Sequence, residues 1–311
     1  MRIHPGFIGI DISKQALDIF DGAVGKPERI ANRPEAIGAV VERWRGSDAL
    51  VLFEATGPYD RHVRCALSQA GVRFSRVNPA RARDFARACG ALAKTDAIDA
   101  RMLAAMAQAL TPATQENASP ERDKLTALHR RRDQLVDCRK RERTRRATCG
   151  DGDVLADLDQ HIAWLDARIA AIEDRIRHMM RHAPQINAAQ RLLRSIPGVG
   201  PVAATTLIAL MPELGARTPK TIAALAGLAP FNVDSGQFRG KRAIKGGRRR
   251  VRQALYMAAV AAAHSKFRFA SAYKAMIDAG KPAKLALIAI ARKILVTANA
   301  VMRDKIPFKT A

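Results

Sequence analysis

The chain has 311 residues, 48% of them hydrophobic, enough for a buried core and for two domains or one large domain with an extension. Aromatic residues at 5% exclude extended base-stacking platforms. The 53 Lys and Arg against 29 Asp and Glu give a formal net charge of +24. That excess points to a polyanion partner, because basic side chains displace the counterions condensed on nucleic acid. It is uneven: net +4 over residues 1–110, +2 over 111–185 and +18 over 186–311. The last third is therefore the expected nucleic-acid footprint, and the first 110 residues alone are expected to bind weakly. An anionic membrane surface fits less well, since no basic helix with a Trp/Phe face is legible. The longest apolar stretch, around Met257 to Ala263, reads as too short to cross a bilayer. Met1 to Gly6 show no secretory signal pattern. Cys65, Cys89, Cys138 and Cys149 lack C-x-x-C spacing and fit a reducing cytoplasm.

In chain order, Phe7 to Ile12 is a short apolar run, with Leu17–Phe20 and Glu28–Asn32 as neighbouring strands. Pro34 opens a helix through Trp44. Ala49–Ala55 is the clearest buried strand, stopped by Thr56-Gly57-Pro58. A helix from about Tyr59 to Ala70, a strand Val72–Val77 and helices after Pro79 and Thr95 follow. Three leading strands followed by alternating helix and strand is the order of a ribonuclease-H-like fold, although pattern alone leaves other α/β arrangements open. Pro112 and Thr114–Pro120 mark a boundary. Glu121 to about His182 carries two apolar faces, Leu125, Leu128, Leu135 and Ile162, Leu165, Ile169, Ile172, Ile176. They predict two long helices folded back as a hairpin or paired across a dimer. The run Arg139–Arg146 is either a solvated face or a phosphate contact. From Gln190 onward the chain reads as helical and basic. The expected division is 1–112, 113–187 and 188–311: α/β, helical hairpin or coiled coil, and basic all-α domain.

Four acids sit where metal chemistry wants them. Asp11 lies within the first apolar strand and Glu54 ends the central one. Asp96 and Asp99, three apart, share a helix face. An acid in an apolar strand costs several kcal/mol unless charge offsets it, and hard oxygen ligands suit Mg²⁺. A two-metal site stabilises the attacking and leaving oxygens of phosphodiester exchange. Singly, Asp96 reads equally as a helix cap, Asp99 as a surface acid, and Asp11 as an acid paired with an arginine. Asp18, Asp21, Asp48 and Asp60 fall in polar or turn contexts and are left outside the expected site.

Ile196–Ala204 has the form of a helix-hairpin-helix turn. Its Gly198 and Gly200 would let backbone N–H groups approach DNA phosphate. Asp234-Ser235-Gly236 alone is an ordinary turn. Beside it, Arg239, Lys241, Arg242, Lys245 and Arg248 can bind a phosphate and stabilise its transition state. A serine there can act as a nucleophile dividing one exchange into two steps. No histidine stands near as its base, so deprotonation falls to a carboxylate, a metal-bound hydroxide or water. Ser195 and Ser13 are the reserve candidates.

The strings Ile8–Lys14, Glu54–Tyr59 and Lys94–Ala100 resemble the DEDD transposases of the insertion-sequence one-ten family, which includes the Piv/MooV-type invertases. The Ser-Gly, R-G-K-R-like and G-G-R segments match that family's C-terminal domain. The resemblance spans about residues 6–305. It implies a RuvC-like N-terminal domain with Asp11, Glu54, Asp96 and Asp99 as the Mg²⁺ tetrad, and Ser235 as nucleophile. It also implies donor and target DNA, a structured guide RNA and a homo-oligomer with a composite centre. The expected activity is transposition or site-specific recombination in the bacterial cytoplasm, at the nucleoid. The alternatives are a junction-resolving endonuclease using metal-activated water, or an inactive nucleic-acid-binding relic.

Overall fold

The computed structural model describes residues 3–55, 57, 59–90, 96–114, 120–231, 234–235, 238–239, 243–244 and 246–309. The chain is a mixed α/β protein, mostly helical, in two compact units, Met1–Ala118 and Ser119–Ala311.

The first unit contains β1 (Phe7–Ile12), β2 (Ala16–Asp21), β3 (Pro27–Ala31), α1 (Pro34–Glu42), β4 (Leu50–Glu54), α2 (Arg61–Ala70), β5 (Arg73–Val77), α3 (Pro79–Ala88) and α4 (Asp96–Leu110). The sheet order is β3-β2-β1-β4-β5. β1, β2 and β3 pair antiparallel, while β4 and β5 run parallel to β1. Alternation assigns the two faces. Ile8, Ile10, Ile12, Val51 and Phe53 pack under α1 and α2 with Ile37, Val41, Val63 and Leu67. Leu50, Leu52 and Val77 face α3 and α4 through Ala82, Leu103 and Met106.

The second unit opens with the helical hairpin. α5 (Pro120–Thr148) and α6 (Gly152–His182) fold back on each other, and the Asp151 side chain caps α6 by accepting from the Val154 N–H at 2.9 Å. α7 (Pro184–Arg194), α8 (Pro201–Leu210), α9 (Pro219–Ala226), α10 (Arg249–Ala263), α11 (Arg268–Asp278) and α12 (Ala283–Asp304) follow. One apolar core joins the hairpin to these helices, from Leu125, Leu165 and Ile176 through Leu207 and Leu255 to Ile294. Against the expectation that no stretch can span a bilayer, α12 is long and apolar enough by length and composition. Ala286, Ile290, Ala291, Ile294, Leu295 and Ala298 on it are wholly buried, the pattern of a core helix.

The fully helical expectation after Gln190 is corrected between α9 and α10. There β6 (Pro230–Phe231) pairs with β9 (Ala243–Ile244), and β7 (Asp234–Ser235) pairs with β8 (Phe238–Arg239). The two antiparallel pairs are nested, so this stretch is a β-arm.

Candidate active site

The carboxylates are organised by the sheet. Ile8↔Val51, Gly9↔Leu52 and Ile10↔Phe53 are partners in the parallel β1–β4 pair. The same register carries Asp11 alongside Glu54, at the C-terminal ends of the two central strands. Both alternate onto the face that α3 and α4 cover, and both are half-buried. Asp11 also accepts a 3.0 Å bond from the Ile12 N–H.

Gly9 explains how α4 reaches this end. A Cβ there would stand 2.0 Å from the Ala100 carbonyl oxygen and 2.4 Å from the Ala104 nitrogen, so only glycine lets the helix lie on the strand. At the other end of α4, the Gln108 side-chain oxygen accepts from the His4 N–H, ahead of β1, at 2.7 Å. α4 therefore runs antiparallel to β1. Its first turn, which begins at Asp96 and contains Asp99, lies toward the Asp11 end of the strand. The side chain of Asp96 lies outside the described residues. Among the described residues, no three His, Cys, Asp or Glu side chains form a group that could hold a metal ion. The donor chemistry nevertheless suits a hard divalent cation: Asp11 and Glu54 stand at one end of the sheet, and Asp96 and Asp99 belong to the α4 turn that lies toward that end.

Two acids that sequence reasoning left out belong to this neighbourhood. Asp18 is the cross-strand partner of Asp11, on the same face, 7% exposed and 3.5 Å from the Arg29 guanidinium. Like charges directly opposite each other are unfavourable, so the pair gains from cationic company such as Arg29. The signal was available in the alternation Leu17-Asp18-Ile19, which places Asp18 on the face opposite the apolar pair. Asp60 is wholly buried and pairs with Arg64 at 3.1 Å and Arg76 at 2.7 Å. With Asn32, whose amide donates to the carbonyls of Ser13 and Tyr59 at 2.9 and 3.1 Å, it secures the chain just beyond Glu54.

The serine lies in the other unit. Ser235 pairs with Phe238 and Asp234 with Arg239, so Ser235 is, among the described residues, the last paired one on the outgoing strand of the arm. The side chains of Ser235 and Arg239, and Lys241, Arg242 and Lys245 altogether, lie outside the described residues. The base of the arm is cinched. Gly227 and Gly247, both with positive φ, approach so closely that a Cβ on Gly247 would stand 2.3 Å from the Gly227 Cα. Arg248 then donates to both oxygens of Glu213 at 2.6 Å and to the Leu210 carbonyl at 2.9 Å. Its backbone N–H reaches the Leu225 carbonyl. Expected among the phosphate ligands, Arg248 thus serves in this structure as the clasp between α10 and the α8–α9 connection. Burial pushes the Glu213 carboxyl upward, but the Arg248 bonds outweigh it and hold the pKa below its ordinary value.

The reserve serines are engaged in hydrogen bonds to the backbone. The Ser195 hydroxyl donates to the Leu192 carbonyl and accepts from the Phe308 N–H; that of Ser13 closes the β1–β2 turn on Ala16. In the turn between α7 and α8, Gly198 is required by packing: its φ is +84° and a Cβ would stand 2.3 Å from the Ala258 carbonyl oxygen. Gly200 is exposed, with open space around it. The arginine run on α5 is largely an electrostatic zipper along the hairpin. Arg139 and Arg143 pair with Asp166 of α6, Arg146 with Asp159, and Arg145 with Glu142 on its own helix.

Residues 8–149 match the model of the IS110-type DEDD transposase domain, described as a transposase. Residues 190–274 match the model described as the transposases of the IS116/IS110/IS902 family. These matches make the chain a transposase or site-specific recombinase, an enzyme that acts on DNA by strand cleavage and exchange. The chain is 30% identical to the pilin gene-inverting protein of Moraxella bovis, with 97% of each chain covered. It is 31% identical to that of Moraxella lacunata, over 83% of this chain and 81% of the other. It belongs to the IS110 family of transposases and Piv-like recombinases.

Proposed function

We propose that the chain recombines DNA with two parts: a Mg²⁺-binding tetrad of Asp11, Glu54, Asp96 and Asp99, and Ser235 as nucleophile. The observation that carries the reading is the shared end of the sheet. Asp11 and Glu54 lie near the C-terminal ends of adjacent parallel strands on one face, and the glycine-enabled approach of α4 brings the turn of Asp96 and Asp99 to that end. A divalent cation held there would supply charge stabilisation at the scissile phosphate. The protein's own part is to fix the oxygen ligands on rigid elements. Asp18 with Arg29, and Asp60 with Arg64 and Arg76, hold the backbone around them.

In the serine step, the Ser235 oxygen forms a bond to phosphorus as one P–O bond of the DNA breaks. The hydroxyl proton passes to a carboxylate or water, and the departing strand leaves with a free hydroxyl. The phosphoserine bond conserves the phosphodiester, so rejoining requires no external energy. Arg239, Lys241, Arg242 and Lys245 neutralise the charge that builds on phosphorus. Gly198 and Gly200 lie in the turn that offers backbone N–H groups to DNA phosphate. Serine and carboxylates reside in separate units, which suits a composite centre completed in a homo-oligomer. A structured guide RNA and a cytoplasmic, nucleoid-associated setting complete the reading by family analogy.

The test is Asp11→Asn. Divalent-metal-dependent cleavage disappears while DNA affinity is unchanged or improved, since removing a negative charge near phosphate cannot weaken electrostatic binding. Wild-type cleavage by this variant would overturn the metal assignment.

A further inference from the structure

Net charge hides where the free cations of the first unit stand. Most of its arginines are internally matched: Arg43 with Glu28, Arg45 with Glu42, Arg64 and Arg76 with Asp60, Arg73 with Asp48, and Arg87 with Asp84. Arg29 pairs with Asp18, and Arg101 lies over the Phe20 ring. Among the described residues of this unit, six basic side chains have no such partner: Lys14, Lys26, Arg33, Arg61, Arg81 and Arg83, all exposed.

The topology sorts these six by position. Lys14 lies in the β1–β2 turn, just after Asp11. Arg33 is the N-cap of α1, just after β3, which runs in the same direction as β1. Arg61 begins α2, in the connection that follows Glu54. Arg81 and Arg83 lie in the first half of α3, which starts two residues after Val77, the partner of Glu54. Five of the six therefore stand at the carboxylate end of the sheet; only Lys26, ahead of β3, stands at the other. Three of the four arginines occupy helix starts, where the macrodipole disfavours a cation. The exposed acid Glu35, in the first turn of α1, offsets only one of them. Cations held against helix dipoles at the end of the sheet that carries Asp11 and Glu54 are the arrangement a polyanionic strand needs, with phosphate contacts on either side of the carboxylates.

We propose that Lys14, Arg33, Arg61, Arg81 and Arg83 form a DNA-backbone-binding rim around the carboxylate end of the sheet, so that the first unit grips the DNA flanking the scissile phosphate. The inference rests on the carboxylate reading for its purpose but not for its measurement. It also replaces the expectation that this unit, at net +4, binds weakly: the acids that lower its net charge are mostly matched elsewhere.

The test is a salt titration of the full-length chain on a labelled 40-bp duplex, followed by fluorescence anisotropy in EDTA. Each lost phosphate contact lowers the slope of log affinity against log salt by about 0.9. The quadruple Arg33→Gln, Arg61→Gln, Arg81→Gln, Arg83→Gln variant should lose about 3 to 4 units of slope, and each single variant about one. The same four changed to Lys should restore the slope, and Lys26→Gln should leave it unmoved. An unchanged slope in the quadruple variant overturns the rim. So does a loss confined to a single-stranded RNA probe with duplex binding intact. The same titration in the Asp11→Asn background separates the two readings. If that variant still cleaves DNA, the metal assignment fails, while a lost slope still establishes the rim.

Discussion

Gly9→Ala puts the geometry of the carboxylate end to a direct trial. The new Cβ would lie 2.0 Å from the Ala100 carbonyl oxygen and 2.4 Å from the Ala104 nitrogen, both backbone atoms that cannot rotate away. Ordinary van der Waals contact begins near 3.4 Å, so α4 must lift by about 1.4 Å or β1 must bend by a similar amount. Either movement carries the turn of Asp96 and Asp99 away from Asp11. Overpacking of this kind costs about 1–3 kcal/mol of stability. A misplacement of about 1 Å in a catalytic constellation costs on the order of a hundredfold in rate. The assay compares metal-dependent DNA cleavage, duplex affinity and thermal unfolding of the variant with the parent. Cleavage should fall about a hundredfold with binding retained. Should Gly9→Ala cleave at the parental rate while folded, the carboxylates do not depend on the close seating of α4, and the reasoning fails.

The clasp at the base of the serine arm gives a second outcome. Arg248→Ala leaves a mostly buried Glu213 carboxylate without its two 2.6 Å bonds and should cost about 2–3 kcal/mol, less than for a fully buried pair because Arg248 remains a third exposed. Urea unfolding measures it, and a cost below about 0.5 kcal/mol would mean solvent replaces the pair. Stability should also fall in two stages on acidification. Burial lowers the pKa of His129 below its ordinary 6.5, with Asp133 opposing, so its contribution is full above 6.5 and is lost as pH drops from there toward its folded value. The depressed pKa of Glu213 contributes above 4.5 and is lost below it. Melting temperature against pH reads both, and His129→Gln should remove the first stage. Ser195→Ala should lose the Phe308 N–H partner, a matter of about 1 kcal/mol, and leave strand exchange intact; loss of exchange in a folded variant would reopen the choice of serine.

Much of the first unit was legible because burial on both sheet faces makes β1 and β4 apolar runs in which an acid is conspicuous. Asp18 is hard to single out in the sequence because its setting reads as polar, whereas register places it opposite Asp11. Asp60 is equally hard to single out, because a turn acid reveals nothing of Arg76 sixteen residues later. The serine arm was invisible to periodicity: its paired segments are two residues long and punctuated by glycine, too short for any alternation. Arg248 and the run on α5 show the limit of charge counting. A sequence displays cations, but only the fold shows that Glu213 and Asp166 are within reach of them. The same limit worked the other way in the first unit, where a modest net charge concealed the unmatched arginines of the rim.

The central claim is that DNA becomes joined to Ser235. Full-length protein is incubated with labelled DNA of the flanking element, its associated non-coding RNA and Mg²⁺, then denatured and digested for mass spectrometry. The account predicts a nucleotide adduct on the peptide containing Ser235, absent in Ser235→Ala and in Asp11→Asn. An adduct formed by Ser235→Ala at the parental rate, or cleavage by the parent with water alone and no adduct, would contradict it.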